Sequence, residues 1–164
     1  MRSRTIDTPI GVVTLAGTVT GDGTEVVAHL VMDGQAHAPD TVGWVEDPTA
    51  FAGVVSQLDA YFAGELQEFD VELDLVGTDF QRAVWQGLRD IPYGTTWTYG
   101  QLAAHIGRPS AVRAVGLANG RNPVAIVVPC HRVIGADGSM TGYGGGIERK
   151  QALLGLEQRG STCR

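Results

Sequence analysis

The chain has 164 residues, 43% of them apolar, which is enough for one ordinary domain or two small ones over a shared core and too apolar for a disordered segment. No apolar stretch approaches the ~20 residues of a membrane span, and the N-terminal MRSRTIDTPIG lacks the apolar core of a signal peptide, so a soluble cytoplasmic protein is expected. The net charge of −6 hides an asymmetry: residues 1–76 hold two basic and thirteen acidic side chains (−11), residues 77–164 ten and five (+5), so only the back half is suited to a polyanion.

Taken in chain order, TIDTPIGVVTLAG places Pro9 and Gly11 between two β-rich runs and predicts a hairpin. Val26–Met32 predicts a further strand. In DPTAFAGVVSQLDAYFAGE, Asp47 reads as an N-cap, Pro48 as the first helical residue and Gly64 as the stop, with Phe51, Val54, Val55, Leu58, Tyr61 and Phe62 at helical spacing. DVELDL alternates as a half-buried strand. Nothing in this half converges chemically, and it reads as scaffold.

The second half changes style. GTDFQRAVWQGLRDIPYG predicts a helix capped by Thr78 or Asp79, with the stripe Phe80, Val84, Leu88 and Ile91. TWTYGQLAAHIG predicts a second helix capped by Thr98 and stopped by Gly107, and RPSAVRAVGLANG a third with Pro109 near its start; the pair fits a helix-turn-helix. A strand over Ala125–Val128, the corner PCHR, the turn GADGS, the glycine run GYGGG and a last helix from about Glu148 to Glu157 follow. The fold class is therefore α+β: an α/β N-terminal domain over 1–76, a mainly helical, winged-helix-like helix-turn-helix domain over 77–158, and a tail over 159–164.

The corner carries the chemistry. Pro129 cannot donate to a ladder, so the apolar run stops there, and Cys130, His131 and Arg132 follow at once. Positive neighbours favour thiolate over thiol, which makes Cys130 a candidate nucleophile, although a cysteine after an apolar run is also a common small core residue. Neighbours in an extended chain face opposite ways, so a bridging water between Cys130 and His131 is the expected relay. Glu157 is a candidate acceptor for the other imidazole nitrogen, and a solvated helix-end carboxylate is its plain alternative. The second cysteine, Cys163, lies in the tail, and free thiols are expected. With no CxxC or HExxH and with His29, His37, His105 and His131 scattered, neither a metal nor another cofactor is expected.

PCHRV (Pro129–Val133), preceded by RAVGLANGRNP (Arg113–Pro123) and followed by GYGGG, resembles the O6-alkylguanine-DNA alkyltransferases, also called methylated-DNA–protein-cysteine methyltransferases. The resemblance runs from TPIG to LLGLE and is strongest over Gly77–Glu157. It implies direct-reversal repair: one irreversible transfer of an alkyl group from O6-alkylguanine, with O4-alkylthymine as a further candidate, to Cys130. It also implies His131, a water and Glu157 as the activating relay, and Tyr99 beside the flipped base and its phosphodiester. Asn122 would brace the turn before the acceptor. Arg113 would fill the gap left by the extruded base, with Ala114 and Asn119 also at the DNA. Val133, Tyr143, Gly144 and Gly145 would wall the guanine pocket. Some relatives carry serine where this chain has Gly144, which leaves the range of alkyl groups open.

The implied partner is double-stranded DNA, approached from the minor groove without a membrane, by a protein that is a monomer in solution, with cooperativity on DNA left open. Flipping and gap filling answer a physical need, because a duplex buries the O6 atom. Two rivals stand beside this reading. A DNA-binding module without chemistry would not need Cys130, and a cysteine hydrolase would leave the basic helix-turn-helix unexplained.

Overall fold

The two-residue turn Pro9–Ile10 folds β1 (Arg2–Thr8) against β2 (Gly11–Val19) in antiparallel register, Thr8 opposite Gly11. The computed structural model describes residues 1–140 and 143–162. Strand β3 (Glu25–Met32) extends the sheet antiparallel to β2, and two-residue strands close its edges, β4 (Val45–Glu46) parallel to β1 and β5 (Glu72–Leu73) parallel to β3. The order is β4-β1-β2-β3-β5. At the bulge between Ala16 and Gly17, a Cβ on Gly17 would stand 1.9 Å from the Val26 carbonyl oxygen, so only glycine lets β2 and β3 approach there.

Helix α1 (Ala52–Phe62) starts later than Asp47 and Pro48 predict. The Asp47 carboxylate instead accepts from the Thr49 N–H and hydroxyl in a local turn, and Phe51 takes a left-handed φ of 59° with its N–H held by the Glu25 carboxylate of β3. Gly64, at φ 78°, ends the helix as read. Val54, Leu58 and Tyr61 form its buried stripe.

In the second half, α2 (Asp79–Leu88) and α3 (Tyr99–His105) each open on a threonine capping box, Thr78 with Gln81 and Thr98 with Gln101. Helix α4 (Val112–Gly120) follows a six-residue connection, numbered 106–111, so α3 and α4 form the helix-turn-helix. Trp85 of α2, 2% exposed, donates from Nε1 to the Ala118 carbonyl at 2.9 Å, fixing α4 to α2. A short parallel pair, β6 (Trp97–Thr98) with β7 (Val133–Ile134), joins the start of α3 to the exit of the PCHR corner. Helix α5 (Ile147–Thr162) runs past Glu157, where the sequence pattern ended it. No proline interrupts it, Gln158 ties it to the Gly94 carbonyl at 2.9 Å, and Gly160 sits where a Cβ would meet the Tyr93 hydroxyl at 2.4 Å.

One core runs through both halves: Leu30, Met32, Phe51, Leu58 and Tyr61 from the front pack with Val84, Leu102, Val124, Val128 and Leu153 from the back. Each such burial contributes about 1.5–3 kcal/mol, so the halves stabilise one another. The seam is also hydrogen-bonded: Leu30 N–H donates to the Pro123 carbonyl at 2.9 Å, and Ala36 N–H to the Gly144 carbonyl at 2.8 Å. No helix among the described residues is long and apolar enough to cross a membrane.

Gly17→Ala should destabilise the protein by about 2–3 kcal/mol, because the added methyl meets backbone that cannot step aside; urea denaturation of the variant against the parent measures it.

Candidate active site and nucleic-acid face

The apolar run before Cys130 is not the expected strand. Ile126 has a φ of 74°, and Val127 N–H donates back to the Ala125 carbonyl at 2.9 Å, a tight three-residue turn. Cys130 N–H makes the same kind of bond to Val128 O at 2.8 Å around Pro129. A β-branched residue at positive φ costs on the order of 1–3 kcal/mol. Burial of Val124, Ile126 and Val128, none more than 1% exposed, offsets it. Asn122 braces the reversal: its Nδ2 donates to Val128 O at 2.7 Å and its Oδ1 accepts from Val124 N–H at 3.0 Å.

Cys130, His131 and Arg132 then form a single 3-10 turn, all three buried. His131 Nε2 lies 2.7 Å from Glu157 Oε2, and both side chains are closed to solvent. The same carboxylate accepts from the Tyr61 hydroxyl at 2.6 Å, from Arg132 Nε at 2.8 Å and Nη2 at 3.0 Å, and from Gly94 N–H at 3.4 Å. Burial would raise the Glu157 carboxyl, but the His131 bond and the Arg132 guanidinium overcome it and hold it at about 2. Glu157 is thus ionised, and an ionised acceptor on Nε2 fixes the proton there. Nδ1 carries the lone pair, and it is buried without a protein partner among the described residues. Burial also lowers the His131 pKa, against the pull of Glu157, so the imidazole is neutral at rest.

The thiol departs from the sequence expectation. Arg132 is paired with Glu157 and Ile91 O rather than offered to sulfur. Burial pushes the Cys130 thiol up to about 11, opposed by a hydrogen bond from Asn122 and by the charge of Lys150. The resting state is therefore S–H beside a neutral imidazole. Lys150 and Tyr61 were missed in the sequence: Lys150 is fully buried with Nζ on the Val133 carbonyl, and its signal was being the chain's single lysine. Tyr61 gave no signal beyond its place in an apolar helical stripe.

A narrow cavity with about 10 Å3 of free space, room for one water, reaches Cys130, walled by Asn119, Asn122, Tyr143, Gly144, Gly145 and, from the front half, Gln35. A larger crevice behind the corner, past Arg89, Tyr93, Pro129 and Arg132, is not lined by the thiol. Gly145 is required for close approach, since a Cβ there would lie 2.6 Å from Met32 Sδ, whereas one on Gly144 would meet only ordinary contacts at 3.5 Å and beyond. Tyr143 packs at 8% exposure. Val133 is buried outside this wall, its N–H on Cys130 O and its carbonyl on Lys150. Gly142 and Cys163 lie outside the described residues.

Tyr99, the first residue of α3, is half-buried; burial and then the nearness of Cys130 raise its phenol, and an Asn119 hydrogen bond opposes the rise. Asn119 also lies within 3.5 Å of the Cys130 carbonyl. Arg113 and Ala114 are exposed on α4, and with Leu117, 69% exposed, Arg108 and Arg121 they make an outer face. Residues 99–121 contain no carboxylate, so the charged side chains of this segment are all arginines. No cluster of three or more metal-binding side chains occurs among the described residues.

Comparison with known proteins agrees with this arrangement. The family description "6-O-methylguanine DNA methyltransferase, DNA binding domain" matches residues 79–159, and "6-O-methylguanine DNA methyltransferase, ribonuclease-like domain" matches residues 1–75. The chain belongs to the 6-O-methylguanine DNA methyltransferase family. It is 61% identical over 160 residues to the methylated-DNA–protein-cysteine methyltransferase of Mycolicibacterium paratuberculosis, covering 98% of this chain and 94% of that one. The solved structure of Mycobacterium tuberculosis OGT in complex with DNA superposes with a TM-score of 0.92 at 60% identity, covering 98% of this chain and 94% of that one. A Pyrococcus kodakaraensis O6-methylguanine-DNA methyltransferase structure aligns at 0.66 and 29% identity, covering 94% and 98%. The α+β architecture, a front sheet domain and a helical back domain, is the one these relatives share.

Replacing Glu157 by Gln leaves the Arg132 charge buried without its partner and should cost about 3–5 kcal/mol at neutral pH in urea denaturation. The parent has its own acid signature. The Glu157 carboxyl titrates at about 2 in the fold against an ordinary 4.5, so its contribution is complete above pH 4.5 and lost as pH falls through about 2. The urea midpoint should decline over that window.

Proposed function

We propose that the protein repairs O6-alkylguanine in double-stranded DNA by moving the alkyl group, once and irreversibly, to Cys130. The observation that carries this reading is a buried thiol lining a narrow cavity, next to a buried imidazole–carboxylate pair and beside a carboxylate-free helix-turn-helix segment. In this reading residues 1–76 form the supporting domain and 77–158 the DNA-binding and acceptor domain, whose last helix continues through 159–162 of the segment expected as a tail.

The reaction is a single displacement. The Cys130 proton passes through a water to His131 Nδ1, the sulfur attacks the alkyl carbon, the C–S bond forms as the C–O6 bond breaks, and the guanine leaves as an anion that Tyr99 hydrogen-bonds and water then protonates, while His131 returns its proton to solvent. Glu157 stays ionised and stabilises the imidazolium that forms. Tyr99 keeps its proton at neutral pH, since its phenol lies above the ordinary value, and can donate to the departing base. The product is a thioether that water does not cleave, so no turnover follows, unlike a cysteine hydrolase and its thioester.

The base must leave the stack to reach the sulfur. Arg113, exposed on α4, is the side chain for the vacated space, with Ala114 giving close approach in the minor groove and Asn119 linking the groove face to the Cys130 corner. Tyr143, Gly144 and Gly145 wall the base, and the Val133 carbonyl, which already accepts from Lys150, keeps a second lone pair for it. Affinity then comes chiefly from phosphates, with low sequence preference and a modest salt dependence. O4-alkylthymine is a smaller base for the same cavity. The protein acts as a monomer of the cytoplasm, and no cofactor enters the reaction.

Incubation with a duplex containing O6-methylguanine should add one methyl to the peptide carrying Cys130, in a 1:1 ratio at saturation, read by mass spectrometry. Cys130→Ser should still shift the duplex in a gel and gain no mass. Repeated clearance of lesions by one molecule would overturn the reading.

A further inference from the structure

Lys150 is the chain's single lysine; the other eleven basic residues are arginines. It is also completely buried, at 0% exposure. Lysine is among the residues least often buried, and an ammonium ion held away from water without an anion is costly. Yet Lys150 belongs to none of the ion pairs among the described residues. Its Nζ donates to the Val133 carbonyl and stands 6.0 Å from the centroid of the Tyr143 ring. Both are dipolar contacts, and neither neutralises the charge.

Its position shows what could. Lys150, Leu153, Leu154 and Glu157 are the buried residues of α5, at spacings of three, four and seven, so they share one helix face. That face packs on the 3-10 turn of Cys130–Arg132. At one end Glu157 receives His131 and Arg132; two turns earlier Lys150 holds Val133, whose own N–H is bonded to the Cys130 carbonyl. Tyr143, against which the ammonium lies, is a wall of the Cys130 cavity. Burial lowers the Lys150 ammonium, and the one charge that raises it again is a Cys130 thiolate; reciprocally, Lys150 is the charged group that draws the thiol down.

We propose that Lys150 is the resident counter-cation of the Cys130 thiolate, a positioning residue that acts on the sulfur through its field without touching the alkyl group. The proposal rests on Cys130 being the alkyl acceptor. Lys150 keeps its proton throughout: the thiol proton leaves by way of His131, the ammonium faces the sulfur anion while the C–S bond forms, and the charge on sulfur vanishes with the thioether. A chain that otherwise uses arginine keeps lysine here because the ammonium is a compact point charge. A guanidinium would bring five donors in a rigid fork to a place with one carbonyl acceptor.

The test uses the whole protein and its K150M, K150Q and K150R variants, the first two uncharged and of similar length, the third retaining charge. Folding is checked by thermal melting. The rate at which iodoacetamide modifies Cys130, separated from Cys163 by peptide mass, is followed from about pH 6 to about pH 10. The rise in rate should move to higher pH by about one pH unit in K150M and K150Q, with methyl transfer from O6-methylguanine DNA at neutral pH slowed about tenfold, and K150R should lie closer to the parent. Superimposable profiles for the parent and a folded uncharged variant would overturn the proposal, as would a displacement in K150R as large as in K150M. If the parent gains no methyl from the duplex while the iodoacetamide profiles still separate, the repair reading fails and the counter-cation stands.

Discussion

A single carboxylate organises this molecule. Glu157 is closed to solvent and accepts from Tyr61, Gly94, His131 and Arg132. An isolated buried carboxylate is among the most expensive groups a fold can hold, and it becomes tolerable only when charge and donors surround it completely. Those donors come from α1, from the turn after α2 and from the Cys130–Arg132 turn, up to 96 residues away in sequence. None can drift without exposing the others to a partly satisfied charge. The front domain, which carries most of the acidic surface, is therefore a working part of the active site through Tyr61, and the shared core beneath it makes the contact permanent.

The same carboxylate sets the electrical state of the site. With Glu157 ionised and Nε2 of His131 committed to it, the imidazole presents Nδ1 as its base. Burial acts in the same sense on both partners of the proton transfer, raising the thiol and lowering the imidazole, so that the uncharged pair is the resting state. A thiol near 11 is ionised in roughly one molecule in ten thousand at pH 7. Such a sulfur is protected from adventitious oxidants, which attack thiolates. In the proposed reaction, where the sulfur acts once, a thiol that stays protonated at rest is the safer arrangement, and Gly145 and Tyr143 at the cavity wall, with Met32 packed behind Gly145, leave little room at the sulfur.

Much of this was legible in the sequence where the signal is local. Thr78 and Thr98 each have glutamine three residues on, and both form capping boxes. The hairpin at Pro9, the helix-turn-helix and the stripe ending in Leu58 and Tyr61 follow from turn chemistry and periodicity. The failures have a common cause. Ala125–Val128 reads as a strand, yet these residues fill the shared core, and tertiary packing drives Ile126 into a left-handed turn that no propensity predicts. Asp47 and Pro48 look like a helix start, but the Asp47 side chain closes a turn and Glu25, from another strand, holds the N–H that precedes the helix. Arg132 seemed free to favour thiolate; its partner lies on a helix 25 residues later. Tyr61 reads as core because its hydroxyl's partner is beyond any local pattern.

The account turns on which nitrogen of His131 holds the proton. Nitrogen-15 NMR of the free protein at neutral pH, with His131 assigned through a His131→Gln control, reports it directly. Nε2 protonated and Nδ1 bare, with the ring uncharged, is the predicted state; a proton on Nδ1, or an imidazolium at rest, would contradict it.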